Sequence, residues 1–198
     1  MRNRFGLCSA LVVALVALSP SARAGHHLWR LTELFSNASG SVQFAELFTA
    51  DAGENSVGPF SVTTSAGKTF NFVTSLPAAT STANTWILLG TSNLASLAGG
   101  IAPDYTIPAN FFATGGGTIN YAGVDNWAYG ALPADGVHSL QRDGTSALNS
   151  PRNFAGQAGS LTAAAATAAP LPGWAIAAVV GLLLLLGSGL LRRQKTAS

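Results

Sequence analysis

Between residues 25 and about 160 the chain alternates in short apolar runs and shows little helical periodicity. Runs rich in Val, Phe, Thr, Ile and Tyr are broken by Gly, Asn, Asp and Pro every 8 to 15 residues. That rhythm is the mark of an all-β sandwich or barrel. It predicts strands over 28–35, 42–48, 59–64, 69–74, 85–89, 105–107, 117–121 and 137–141. Ser36-Asn37-Ala38-Ser39-Gly40 and Ser65-Ala66-Gly67-Lys68 are turn clusters, which join the first two strands and the third to the fourth. In the fourth strand Phe70 and Phe72 alternate with Asn71, so one face is packed and the other polar. No internal repeat is present, and about 136 residues suffice for one domain with its own core.

The first hairpin carries the most pointed pattern. Counting by twos puts Trp29, Leu31, Glu33 and Phe35 on one face, and Val42, Phe44, Glu46 and Phe48 on one face of the partner strand. Two carboxylates therefore share an aromatic face. Such a pair can do acid/base work or bind Ca²⁺, but a sugar-cleaving pair flanks an open cleft. The structural alternative, preferred here, is that each accepts backbone amides or pairs with a cation, Arg142 being the expected partner.

Both ends of the chain depart from this rhythm. Met1-Arg2-Asn3-Arg4 opens the sequence, residues 5–18 are uncharged and mostly apolar, and Ala22-Arg23-Ala24 follows. A basic start, a short apolar core and small residues at Ala22 and Ala24 describe a signal peptide over residues 1–24, cleaved after Ala24. As a helix the apolar core reaches only about 21 Å, short of a hydrocarbon layer of roughly 30 Å. Near the other end, residues 174–191 form an uninterrupted apolar run long enough to span about 27 Å. This predicts a single transmembrane helix. Trp174 stands at the interface, and Arg192, Arg193 and Lys195 in the basic tail 192–198 stay cytoplasmic by the positive-inside rule. The domain 25–160 then lies on the periplasmic or extracellular side, joined through an Ala/Pro-rich tether over 161–173.

Charge changes the picture of the partners. Only 9% of the 198 residues are charged and 48% are apolar, a composition of the membrane or export class. The net charge of +2 belongs to the two ends, because residues 25–169 hold four cations (Arg30, Lys68, Arg142 and Arg152) against all eight acids, a net of −4. A nucleic-acid partner thereby loses its support. Cys8, the only cysteine, lies in the signal segment, so neither a disulfide framework nor a thiolate zinc site is expected.

Two resemblances follow from particular residues. Pro170-Leu171-Pro172-Gly173-Trp174, the apolar run and the Arg192-Arg193 pair resemble the tripartite C-terminal sorting signals of the PEP-CTERM class, with Leu171 where that class has Glu. The resemblance implies recognition by an exosortase, cleavage near the Pro motif and transfer to the cell surface or extracellular matrix; a plain membrane anchor is the alternative. The body is similar to lamin-tail-type domains over roughly residues 28 to 158. Leu31-Thr32-Glu33-Leu34-Phe35, Phe44-Ala45-Glu46-Leu47-Phe48, Tyr105-Thr106-Ile107-Pro108-Ala109-Asn110, Gly115-Gly116-Gly117-Thr118-Ile119-Asn120, Ser139-Leu140-Gln141-Arg142-Asp143-Gly144 and Asn149-Ser150-Pro151-Arg152-Asn153-Phe154 carry this likeness. It implies an immunoglobulin-like β-sandwich used as a non-catalytic interaction or structural module.

Other chemistry is sparse. Ala66-Gly67-Lys68-Thr69 lacks the first Gly of a phosphate loop and leads into a strand, and Gly115-Gly116-Gly117 lacks dinucleotide-binding spacing and context. A Ser/His/Asp site would have to be assembled around His138, for which an edge-strand role is preferred. Asp51, Glu54, Asp104, Asp125, Asp135 and Asp143 lie in turn-like sequence without Ca²⁺-loop spacing. If cleavage follows Ala24, Gly25-His26-His27 would offer an amine, two amides and an imidazole to Cu(II) or Ni(II), although chance adjacency is the preferred explanation. No cofactor is expected. The preferred reading is an exported, tethered β-sandwich of the bacterial envelope or matrix with a structural role or an extracellular polysaccharide or protein ligand. Its rivals are a hydrolase using Glu33 and Glu46, and a carbohydrate-binding module using Trp86, Trp127 and Tyr129.

Overall fold

The computed structural model describes residues 25–163. The predicted signal peptide, residues 164–173 of the tether, the membrane helix and the basic tail lie outside the described residues. Among the described residues no helix is long and apolar enough to cross a membrane.

The body is all-β. Its strands are β1 (Arg30–Ser36), β2 (Gln43–Thr49), β3 (Ser61–Thr64), β4 (Thr69–Asn71), β5 (Thr85–Thr91), β6 (Tyr105–Ile107), β7 (Gly117–Tyr121), β8 (Asp125–Tyr129), β9 (His138–Gln141) and β10 (Ser146–Leu148), with one 3₁₀ turn at Leu94–Ser96. They form a six-stranded sheet, β10-β9-β1-β2-β5-β6, and a four-stranded sheet, β4-β3-β7-β8. Neighbours pair antiparallel except β5 and β6, which run parallel.

The two sheets share a core. Leu31, Leu34, Ala45, Leu47, Ile87 and Leu89 of the larger sheet pack with Val62, Ile119, Tyr121, Trp127 and Tyr129 of the smaller. The larger sheet is also covered on its other face. There Phe35, Val42, Phe44 and Leu88 pack with Leu94 of the 3₁₀ turn and with Leu161 and Ala163 near the end of the described chain.

This second cover is a strap that leaves β10, crosses the outer face and doubles back. Asn149 clamps its base, donating to Leu161 O and accepting from Leu161 N at 2.7 and 2.8 Å. An Arg152–Ala158 bridge and the turn from Asn153 to Gln157 close its far end. The 3₁₀-turn region grips the returning leg through Ser160 N–H to Gly99 O and Thr162 N–H to Ala98 O.

Counting by twos along the first strand fails at one residue. Leu31 pairs with Leu47, but Glu33 already pairs with Glu46, so Thr32 is the extra residue of a β-bulge. Leu31 and Leu34 consequently both face the shared core, whereas Glu33 and Phe35 turn to the outer face. The expected single face of Trp29, Leu31, Glu33 and Phe35 is therefore split. β2 has no such irregularity opposite β5, and Phe44 and Glu46 remain on one face, the outer one.

Two strands were not expected. In β8 the inward positions are Asp125, Trp127 and Tyr129, so a buried acid interrupts the apolar signal. β10 is a three-residue edge strand of Ser146, Ala147 and Leu148 with no buried position.

Candidate functional site

Three carboxyl groups hold the outgoing leg of the strap, each through the backbone N–H of every second residue. Ser150 N–H donates to Glu33 Oε1 at 2.9 Å, Arg152 N–H to Glu46 Oε2 at 2.8 Å, and Phe154 N–H to Asp104 Oδ2 at 2.9 Å. The period of two is that of an extended chain, and the three acids come from β1, from β2 and from the residue before β6. The strap is thus laid across the strands and fastened by side chains where a ladder partner is lacking.

Glu33 also accepts from Ser139 Oγ and Ser150 Oγ, at 2.6 and 3.0 Å. Glu46 accepts from Thr32 Oγ1 of the bulge at 3.0 Å. Asp104 Oδ2 additionally accepts from Leu88 N–H at 2.8 Å. Glu33 and Glu46 are 1% and 4% exposed, so solvent scarcely reaches either. Burial, reinforced by the neighbouring Glu33 charge, pushes the Glu46 carboxyl up to about 8. Burial also raises Asp104.

Arg142 is not their partner. It forks onto Asp125, with Nη2 on Oδ1 at 2.9 Å and Nη1 on Oδ2 at 3.3 Å, and its guanidinium lies over Trp127. The reason is positional. Arg142 follows β9 and serves the inner side of the bulge, where Asp125 Oδ2 also accepts Leu31 N–H at 2.7 Å. The carboxylate/Arg cluster of Glu33, Glu46 and Arg142 is therefore two separate sites, and the outer carboxylates rely on amide and hydroxyl donors.

The residues needed for the rival chemistries are dispersed. Trp127 and Tyr129 are buried in the shared core, leaving Trp86 alone on the outer face beneath the Arg152 guanidinium, 4.6 Å from its ring. Ser139 and His138 are adjacent in β9 and so point to opposite faces. Ser139 serves Glu33, while His138 Nδ1 pairs with Asp135 Oδ2 at the exposed end. Two backbone amides and that imidazole hold the Asp135 carboxyl down to about 2.

An open groove of about 450 Å³ lies beside Asp104, lined also by Thr74, Leu76, Pro77, Thr80, Tyr105 and Phe154. Tyr105 donates its hydroxyl to Thr74 O at 3.0 Å, and burial, with the Asp104 charge beside it, pushes the phenol up to about 12. Asp104, already engaged by two amides, is the single carboxyl of this lining and stands beside a neutral phenol.

At the start of the described chain, Gly25 N–H donates to Gly53 O and Gly25 O accepts from Ser56 N–H. Tyr121 donates to His26 O at 3.0 Å, the His26 ring stacks on Phe60, and Arg30 Nη1 donates to His27 O at 2.9 Å. Of the nitrogens that Gly25, His26 and His27 would offer to Cu(II) or Ni(II), that of Gly25 is drawn to Gly53 O. Among the described residues no three His, Cys, Asp or Glu side chains are grouped to hold a metal ion.

Sequence reasoning missed Gln43. Its fully buried amide donates to Phe112 O at 2.8 Å and to Ser36 Oγ at 3.1 Å, and accepts from Phe111 N–H at 2.7 Å. A polar residue at the head of an alternating strand was its only signal. Comparison of the chain with protein-family models, with curated proteins and with solved structures finds no match.

Proposed function

We propose that the chain is an exported, membrane-tethered module of the bacterial cell envelope or extracellular matrix. It is built on an immunoglobulin-like β-sandwich similar to lamin-tail domains, with a structural or ligand-binding role and no catalytic one. One observation carries the non-catalytic reading: the only paired carboxyls on the hairpin, Glu33 and Glu46, are buried under the strap and engaged by five donors. A hydrolytic pair needs access for substrate and water. The tethered arrangement is supported by the sequence at both ends and by the strap, which Ala163 N–H still fastens to Gly136 O where the Ala/Pro-rich segment begins.

Export proceeds through the signal peptide ending at Ala24. The Pro170-Leu171-Pro172-Gly173-Trp174 motif with Arg192 and Arg193 then directs the chain to an exosortase. Mass spectrometry of the C-terminus in fractionated native cells tests this. Loss of everything after the Pro motif is the expected result. An intact tail in the membrane fraction would replace sorting by plain anchoring, and a full-length chain in the cytosol would overturn the proposal.

A further inference from the structure

Glu54 differs from the other buried carboxylates of the body. It is 4% exposed, yet its carboxylate has one hydrogen-bond donor among the described residues, Leu28 N–H on Oε2 at 3.0 Å. Glu33 has three donors, Glu46 two, and Asp125 has the Leu31 amide and the Arg142 fork. The two ion pairs among the described residues leave Glu54 out. A buried carboxylate without a counter-charge is costly, so a missing cation is the question this site poses.

The backbone of Glu54 is firmly placed. Its N–H donates to Thr82 Oγ1 at 3.0 Å and its carbonyl accepts from Trp29 Nε1 at 2.8 Å. Its other oxygen, Oε1, accepts no hydrogen bond from the described residues and lies against Gly25, where a Cβ would collide with it. The Gly25 nitrogen is meanwhile drawn to Gly53 O on the same loop. Nitrogen, carbonyl and carboxylate converge at residue 25.

The geometry points to a receptor for the α-ammonium group of Gly25, formed by the Gly53 carbonyl and the Glu54 carboxylate and filled when the chain is cut after Ala24. This rests on the export reading. Hydrolysis of the Ala24–Gly25 peptide bond gives the water hydroxyl to the Ala24 carbonyl and a hydrogen to the Gly25 nitrogen, which takes one more proton from solvent at neutral pH. Before the cut that nitrogen has one N–H, already committed to Gly53. Afterwards it carries three protons and a positive charge, and Glu54 gains its partner. Removal of the signal peptide thereby gives Glu54 its counter-charge, and the glycine at this position leaves room for the carboxylate, which a Cβ would push aside.

The experiment uses the protein exported and processed in cells. Mass spectrometry first identifies the N-terminal residue; trace labelling with acetic anhydride from pH 6 to 10 then reads the reactivity of its amine. The expected result is a Gly25 start whose amine titrates at least one unit above the ordinary 7.7–8.0 and reacts about tenfold more slowly at pH 6 than in urea. Glu54→Gln should return it to the ordinary profile, and the urea comparison decides alone if that variant does not fold. A start other than Gly25 defeats the cleavage reading and the receptor with it. A Gly25 start with the same titration folded and in urea overturns the receptor alone.

Discussion

Glu46 and Arg152 stand 106 residues apart and meet chiefly through the main chain: Glu46 Oε2 accepts Arg152 N–H at 2.8 Å, while the guanidinium lies over Trp86 and forms no ion pair with the carboxyl. A carboxyl held by an amide and a hydroxyl, beside Glu33, can remain neutral without losing either contact. The fastening of the strap is therefore proton-linked.

The direction of that linkage follows from Glu46 being held up to about 8 in the folded chain. Its contribution to stability is full below the unfolded value of about 4.3, declines as the unfolded chain releases a proton that the folded chain keeps, and is lost as pH rises through about 8. Asp104, also raised, acts in the same sense. Melting temperature should fall between pH 5 and pH 8, and Glu46→Gln should flatten that fall and melt above the wild type at pH 8. Parallel melting curves for the two proteins across this range would refute the linkage.

Glu33 is the stronger anchor, because its removal strands three donors at once: Ser139 Oγ, Ser150 N–H and Ser150 Oγ. Each buried donor left without a partner costs about 1–3 kcal/mol, with some relief from water entry. Glu33→Ala should lower unfolding free energy by about 3 kcal/mol in urea titrations and raise hydrogen exchange across 149–163 more than in β7 or β8. Uniform exchange in all three regions would show that the strap is not what Glu33 holds.

How far these features could be read from the sequence depends on where each hydrogen bond ends. Most strands whose amides pair with neighbouring strands announce themselves by alternation, β8 and β10 excepted, and β6 and β7 fall where the pattern put them. The Glu33–Glu46 pairing was also legible, because a hairpin brings its strands face to face. The Thr32 bulge was not, since no residue there demands it, and it moved Glu33 from the face it was counted on. The strap was hidden for a different reason. Its outgoing leg bonds to carboxyl side chains and lacks the alternation that a sheet imposes. Arg142 was misassigned because buried acids suggested a cation, whereas the outer carboxyls are satisfied by amides and hydroxyls.

Gln43 tests whether a buried amide can secure a loop. It fills both ends of its side chain, holding the 111–112 backbone against β1 and β2. Gln43→Leu has similar volume but leaves the Phe111 N–H and Phe112 O without these partners. A loss of about 2–4 kcal/mol is expected in chemical denaturation. A loss below about 0.5 kcal/mol would mean that the loop finds other partners and that Gln43 is not its fastening.

Asp125 and Arg142 divide unequally, although they form one ion pair. Arg142 has a 40% exposed side chain, so its share is screened and limited to about 1 kcal/mol. Asp125 is 6% exposed and also receives the Leu31 amide, one residue before the bulge. Arg142→Ala should therefore cost about 1 kcal/mol or less, including the lost stacking on Trp127. Asp125→Ala should cost about 2–4 kcal/mol, because the Leu31 amide is left buried without an acceptor. The double variant should resemble Asp125→Ala, since the arginine has little to hold once the acid is gone. Urea denaturation of the three variants measures this. Equal losses for the two single variants would mean that the ion pair, and not the acceptor for Leu31, supports the bulge.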